Sequence, residues 1–187
     1  MTDAAPPFHA LLSDQLPALR AFARTLARDP ARADDLAQET LLKAWSNRDR
    51  FQEGTNLRAW LFTILRNTWY SEHRKRRREV EDADGVHAAR LAQRPVHDDK
   101  LAFKDFQAAL AELPPDQREA LILIGASGLS YEEAAEVCGV RVGTVKSRVS
   151  RARARLVEML DARDGGDLVK DSRMDGAMRS VIPGAAA

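Results

Sequence analysis

Five side chains between residues 146 and 151 have the chemistry to read a nucleic acid: Lys146, Ser147, Arg148, Ser150 and Arg151. Arginine and lysine reach base edges and phosphates, and small hydroxyl side chains let a helix lie close in a groove. From Arg141 to Arg155 there are six basic residues and no acidic one. A second set lies upstream. Arg66, Tyr70, His73 and Arg77 recur at i, i+4, i+7 and i+11, with Trp60, Phe62 and Trp69 in the same segment and a basic run from His73 to Arg78 closing it. Cations attract phosphates and aromatic faces stack on unpaired bases, so this combination suits single-stranded or melting DNA. Plainer readings stay open. Trp60 and Trp69 fit core positions as well, and the basic run fits a solvated helix end, where positive charge complements the dipole.

Other chemistries find little support. His9, His73, His87 and His97 have no metal-ligand spacing with each other or with Cys138. There is no Gly-rich phosphate loop and no nucleophile motif, so nothing argues for catalysis or for a cofactor. Cys138 is the single cysteine, which rules out an intramolecular disulfide. Set among Ala134, Ala135, Val137 and Val140, it reads as a small core residue.

The elements that must carry these residues are helical. Ser130 followed by Glu133 has the capping-box spacing, and Gly139 supplies a residue free to take positive φ. The basic helix after it places Val145, Val149, Ala152, Leu156 and Leu160 on one face and Ser147, Ser150, Arg151 and Ala154 on the other, with Lys146 and Arg148 on the flanks. A capped short helix, a tight turn and a basic helix make a helix-turn-helix. A solvated basic face on an ordinary bundle is the alternative, and the capped helix and turn weigh against it.

Upstream, a first helix is expected over 8–28 with Pro17 interrupting it, and a second from Asp29-Pro30 to about Asn47. A loop over 49–56 precedes a long third helix over 57–78. In the second helix Ala33, Ala37, Thr40, Leu41 and Ala44 share one side. Asp35, Gln38, Glu39 and Leu42 share the other, an acidic face with one exposed leucine that suits a protein partner. Residues 101–113 are helical, and Pro114-Pro115 opens a further helix that ends before Gly128.

The net charge is +1 over 187 residues, but it is unevenly placed. Residues 1–78 carry 14 basic and 9 acidic residues; residues 79–100 carry 3 and 6; residues 101–162 carry 8 and 9. Strand patterns are nearly absent. The fold expected is all-α: two small helical domains, 1–78 and 101–162, joined by an acidic linker over 79–100, with a disordered tail over 163–187. The N-terminus lacks a signal-peptide pattern and no apolar run is long enough to span a membrane, so a cytoplasmic protein with no membrane partner is expected.

Several segments carry a family resemblance. Residues 34–45 (Asp-Asp-Leu-Ala-Gln-Glu-Thr-Leu-Leu-Lys-Ala-Trp) resemble region 2.2 of bacterial sigma factors, and residues 56–67 resemble region 2.3 running into 2.4. Residues 113–121 (Leu-Pro-Pro-Asp-Gln-Arg-Glu-Ala-Leu) and 143–148 (Gly-Thr-Val-Lys-Ser-Arg) are similar to regions 4.1 and 4.2. The order and the absence of an intervening domain resemble the extracytoplasmic-function (ECF) class, and residues 60–79 resemble its general-stress-response group.

This resemblance implies a non-enzymatic initiation subunit whose partners are core RNA polymerase, promoter DNA and an anti-sigma factor. It assigns Asp35, Gln38, Glu39 and Leu42 to the clamp helices of the polymerase. It assigns Phe51, Asn56, Asn67, Tyr70 and Arg74 to reading and opening the −10 element, and Lys146, Ser147, Arg148, Ser150 and Arg151 to the −35 element. The linker is implied to thread toward the RNA channel of the polymerase. Two readings of other classes compete: a sigma-like decoy that binds an anti-sigma protein without initiating transcription, and a conventional activator with a helix-turn-helix output domain. The first usually accompanies a receiver domain, for which this chain has no room.

Overall fold

The structure, a computed structural model, describes residues 7–27, 29–81 and 99–164. Among these residues there are seven α-helices and no strand: α1 (Phe8–Ala27), α2 (Pro30–Ser46), α3 (Leu57–Glu81), α4 (Asp99–Glu112), α5 (Pro115–Gly125), α6 (Tyr131–Cys138) and α7 (Val142–Asp164). A single 3-10 turn, Arg48–Arg50, lies between α2 and α3.

The first three helices form one packed group. Helix α1 buries Leu12, Ala18, Leu19, Phe22 and Ala23. It runs through Pro17 rather than starting there. The proline ring is exposed and removes only its own backbone donor, and one missing bond in a 20-residue helix is offset by the buried face on either side. Asp29 caps α2 by accepting a bond from the Ala31 amide at 3.2 Å, with Pro30 at the first position. Helix α2 then buries Ala33, Leu36, Ala37, Thr40 and Ala44. Asn56 caps α3, its Oδ1 accepting from the amides of Arg58 (3.0 Å) and Ala59 (3.3 Å). Leu61, Phe62 and Leu65 of α3 are fully buried, and the Phe62 ring meets that of Phe22 with centroids 4.6 Å apart.

The remaining helices form the second group, with α4, α5 and α6 all packed on α7. The expected capping box is present. Ser130 Oγ accepts from the Glu133 amide at 3.1 Å, and Glu133 accepts from the Ser130 amide at 2.8 Å. At the other end Gly139 takes φ 65°, with its amide and that of Val140 bonded back to Glu136 and Ala135. The backbone bond from Ser130 holds the Glu133 carboxyl below its ordinary range. A lowered acid stabilises the fold above its ordinary titration range and loses that contribution as pH falls through the lowered value. Ser130→Ala is expected to cost about 1 kcal/mol in thermal melts at neutral pH. The Ser130 hydroxyl also helps to hold the Glu133 carboxyl down, so part of the difference from the parent should fade as pH falls through the lowered value.

Val145, Val149, Ala152 and Leu156 of α7 are buried and Leu160 is partly so, as their spacing requires. The two groups touch where α3 lies against α6 and α1 against α5. Helix α3 continues to Glu81 and α4 begins at Asp99, so the acidic linker lies mostly outside the described residues; the tail beyond Asp164 lies wholly outside them.

Candidate nucleic-acid interface

Helix α7 positions the downstream set. Lys146, Ser150 and Arg151 are exposed, and Ser147 is half-buried. Ser147 donates to the Thr144 carbonyl at 2.9 Å and accepts from Arg151 Nη2 at 3.4 Å, which aligns that guanidinium along the outward face. Lys146 Nζ stands 5.6 Å from the centroid of the Tyr131 ring on α6. Arg148 is set apart from the others. Its side chain is 20 % exposed and its Nε bonds Asp116 Oδ2 on α5 at 3.1 Å. The carboxylate braces the guanidinium through Nε, and the charge of Arg148 also reaches Glu119.

The upstream set is divided. Asn67 and Arg74 are exposed on one face of α3, with Arg74 donating to Ser71 Oγ at 3.2 Å. Beside them a cavity of about 420 Å³ opens between α2 and α3, lined by Lys43, Asn47, Arg50, Trp60, Ile64, Asn67, Thr68 and Ser71. Its size, aromatic wall and polar rim could admit one extruded base. Phe51 is near it but not free. It is half-buried between the rings of Phe8 (5.8 Å) and Trp60 (5.3 Å), so it supports Trp60 as the face available for stacking.

Asn56 and Tyr70 are on another side, against the second helical group. Asn56 Nδ2 donates to Glu133 Oε1 at 2.8 Å. The Tyr70 hydroxyl donates to Glu119 Oε2 at 3.5 Å beneath the Arg66 guanidinium, which bonds Glu119 Oε1 at 2.8 Å. The stripe of Arg66 and Tyr70 therefore does not face water here. Burial raises the Glu119 carboxyl, opposed by Arg66, and raises the Tyr70 phenol with help from the Glu119 charge. Trp69 is also engaged, with Arg32 over its ring at 4.6 Å and His73 stacked on it. The Cys138 thiol is buried and pushed up to about 12, which fits the core role read from its neighbours.

The face of α2 appears as its spacing requires. Asp35 and Gln38 are exposed, Glu39 pairs with Lys43 at 2.7 Å, and Leu42 is 69 % exposed. Trp45, one turn further on, is 44 % exposed and was missed in the sequence, although i+3 from Leu42 was the signal that could have found it. Lys43, Asn47, Arg50 and Trp60 were missed as cavity walls, because they come together only when α2 and α3 pack.

Two domain models match, in chain order: Sigma-70 region 2 over residues 11–79 and Sigma-70 region 4 over residues 103–156. The ECF RNA polymerase sigma factor EcfG of Rhodopseudomonas palustris (strain TIE-1) is 57 % identical over 169 residues, covering 90 % of this chain and 91 % of the relative. Among solved structures, the sigma factor RpoE in complex with the anti-sigma factor NepR from Bartonella quintana is 56 % identical, with a TM-score of 0.74 over 82 % of this chain and 96 % of that one. CnrH in complex with the cytosolic domain of CnrY is 30 % identical, with a TM-score of 0.59 over 83 % of this chain and 88 % of that one. The chain belongs to the ECF sigma factors of RNA polymerase, within the sigma-70 family. No helix among the described residues is long and apolar enough to cross a membrane.

Proposed function

We propose that this chain is a cytoplasmic, non-catalytic initiation subunit that brings core RNA polymerase to promoters of the general stress response. Residues 1–78 act as one functional domain and residues 101–162 as the other, with 79–100 as the connection between them. Helix α2 docks on the polymerase through Asp35, Gln38, Glu39, Leu42 and Trp45. The α2–α3 cavity, with Asn67, Trp60 and Arg50 on its walls and Arg74 nearby, takes a base of the −10 element. Phe51 props Trp60 there, while Asn56 and Tyr70 join the −10 surface when α3 is uncovered. The outward face of α7, carrying Lys146, Ser147, Ser150 and Arg151 with Arg148 braced by Asp116, reads the −35 element.

The observation that carries this reading is that the EcfG alignment spans 90 % of the chain and so includes both surfaces. An anti-sigma factor is the expected regulator, since the relative RpoE was solved in complex with the anti-sigma factor NepR. Run-off transcription with purified core polymerase tests the reading, and promoter-specific transcripts are expected. Binding to an anti-sigma factor with no transcript from any stress-type promoter would replace it with the decoy.

Arg148→Ala is expected to cost about 1–3 kcal/mol at one base pair of the −35 element and to relax specificity there. Lys146→Ala, at an exposed position suited to phosphate, should weaken binding about equally across −35 variants and lower the salt slope by about one. Holoenzyme titrations on single-base promoter variants at several salt concentrations separate the two. Equal loss on all variants for Arg148→Ala would reassign it to the backbone.

A further inference from the structure

Among the described residues, at least four polar contacts cross between the two helical groups, and the donors of these four belong to α3 or its cap. Asn56 Nδ2 donates to Glu133 Oε1 (2.8 Å), Arg58 Nη1 to the Ser127 carbonyl (3.4 Å), Arg66 Nε to Glu119 Oε1 (2.8 Å) and the Tyr70 hydroxyl to Glu119 Oε2 (3.5 Å). From Asn56 to Tyr70 the donors run along about 21 Å of helix, the length of about six nucleotide steps. Every acceptor is a carboxylate or a carbonyl. Glu119 is only 1 % exposed, and Arg66 is the cation bonded to it.

We propose that this edge of α5 and α6 is an internal stand-in for nucleic acid, latched by Glu119, which holds α3 covered until the two groups part. The proposal rests on the assignment of α3 to the −10 element. A buried ion pair is suited to such a switch. Closing strips water from both charges, so most of the attraction is offset and the closed form is favoured only modestly. Breaking the pair on one side leaves the other charge buried, so the junction opens as a unit rather than loosening gradually. Of the remaining contacts, Asn56 with Glu133 is at the margin, exposed or half-buried, and opens without such a penalty, whereas Arg58 bonds the carbonyl of the buried Ser127 and adds to the cost of opening.

The experiment uses the full chain in a Cys138→Ala background, because Cys138 lies close to Glu119 and Arg66 at the junction and opening would expose it to label, with spin labels on Arg24→Cys and Arg155→Cys, one exposed site in each group. Pulsed EPR distances are compared for the parent, Glu119→Gln, Arg66→Ala and the double variant. Each single change should lengthen and broaden the distance, and the double change should add little to either. Glu119→Gln should also bind a short mixed-sequence single-stranded DNA about tenfold more tightly, because the competent fraction rises. Unchanged distances in both single variants would overturn the latch. A longer distance without tighter DNA binding would uphold the latch and overturn the assignment of α3 to the −10 element. If Glu119→Gln fails to fold, Arg66→Ala decides from the other side of the pair: a longer distance supports the latch and an unchanged one overturns it.

Discussion

Leu42→Asp combined with Trp45→Ala is expected to weaken binding to core RNA polymerase by about two orders of magnitude or more while lowering the melting temperature only slightly. Leu42 stands clear of the core at 69 % exposure, and Trp45, at 44 %, gives up a ring contact with Phe8 at 6.4 Å, so the fold depends little on them. They lie one turn apart on α2, with Asp35 and Gln38 beside them and Arg48 over the Trp45 ring at 5.2 Å. An apolar centre within a charged rim is the arrangement in which a few residues dominate association, each worth about 2 kcal/mol or more on truncation. The rim acts differently. Asp35→Lys should slow association and change its salt dependence. Glu39→Lys should do less, since Glu39 already faces Lys43 at 2.7 Å. Surface-immobilised polymerase with the variants in solution gives affinity and both rates. Undiminished affinity in the double variant would move the polymerase contact away from α2.

Phe62→Ala is expected to remove about 3–5 kcal/mol of folding free energy, measured by urea or thermal unfolding. Phe62 is fully buried in α3, and its ring meets the equally buried Phe22 at 4.6 Å, so truncation leaves a cavity within the core. Small globular domains hold about 5–15 kcal/mol in total, so one substitution removes a large share. The functional consequence follows from position. Helix α3 carries cavity walls on one side and this ring on another, so loss of the ring should abolish promoter opening before it affects a direct contact. A loss below about 1 kcal/mol would mean that the site collapses to fill the void.

Much of this was legible in the sequence because it is local. The capping box at Ser130 and Glu133, the positive φ at Gly139, the phase of α7 and the two faces of α2 depend on residues within a few positions of one another. The stripe on α3 was legible only in its phase. Arg66 and Tyr70 have the spacing of a solvent-facing nucleic-acid surface, yet they meet Glu119, which is 53 residues from Arg66 in the chain. Helical phase says which side of a helix a residue is on, but not what else comes to lie there. Phe51 is a similar case. Its loop position and aromatic ring suit a base, while Phe8 and Trp60, remote in sequence, occupy its faces. Pro17 failed for a different reason, since burial on both sides of it outweighs a local breaking tendency.

The row of rings from Trp45 through Phe8 and Phe51 to Trp60 ties the exposed end of α2 to the wall of the cavity, with successive centroids 6.4, 5.8 and 5.3 Å apart. Close-packed neighbours cannot be resized one at a time without disturbing the next. Descendants of this chain that drift toward a different polymerase surface would therefore carry altered base preference with them. With α2 docking on the polymerase and the cavity taking a promoter base, as proposed, partner choice and promoter choice would be inherited as a single trait, and new regulons would arise in step with changes at the subunit interface.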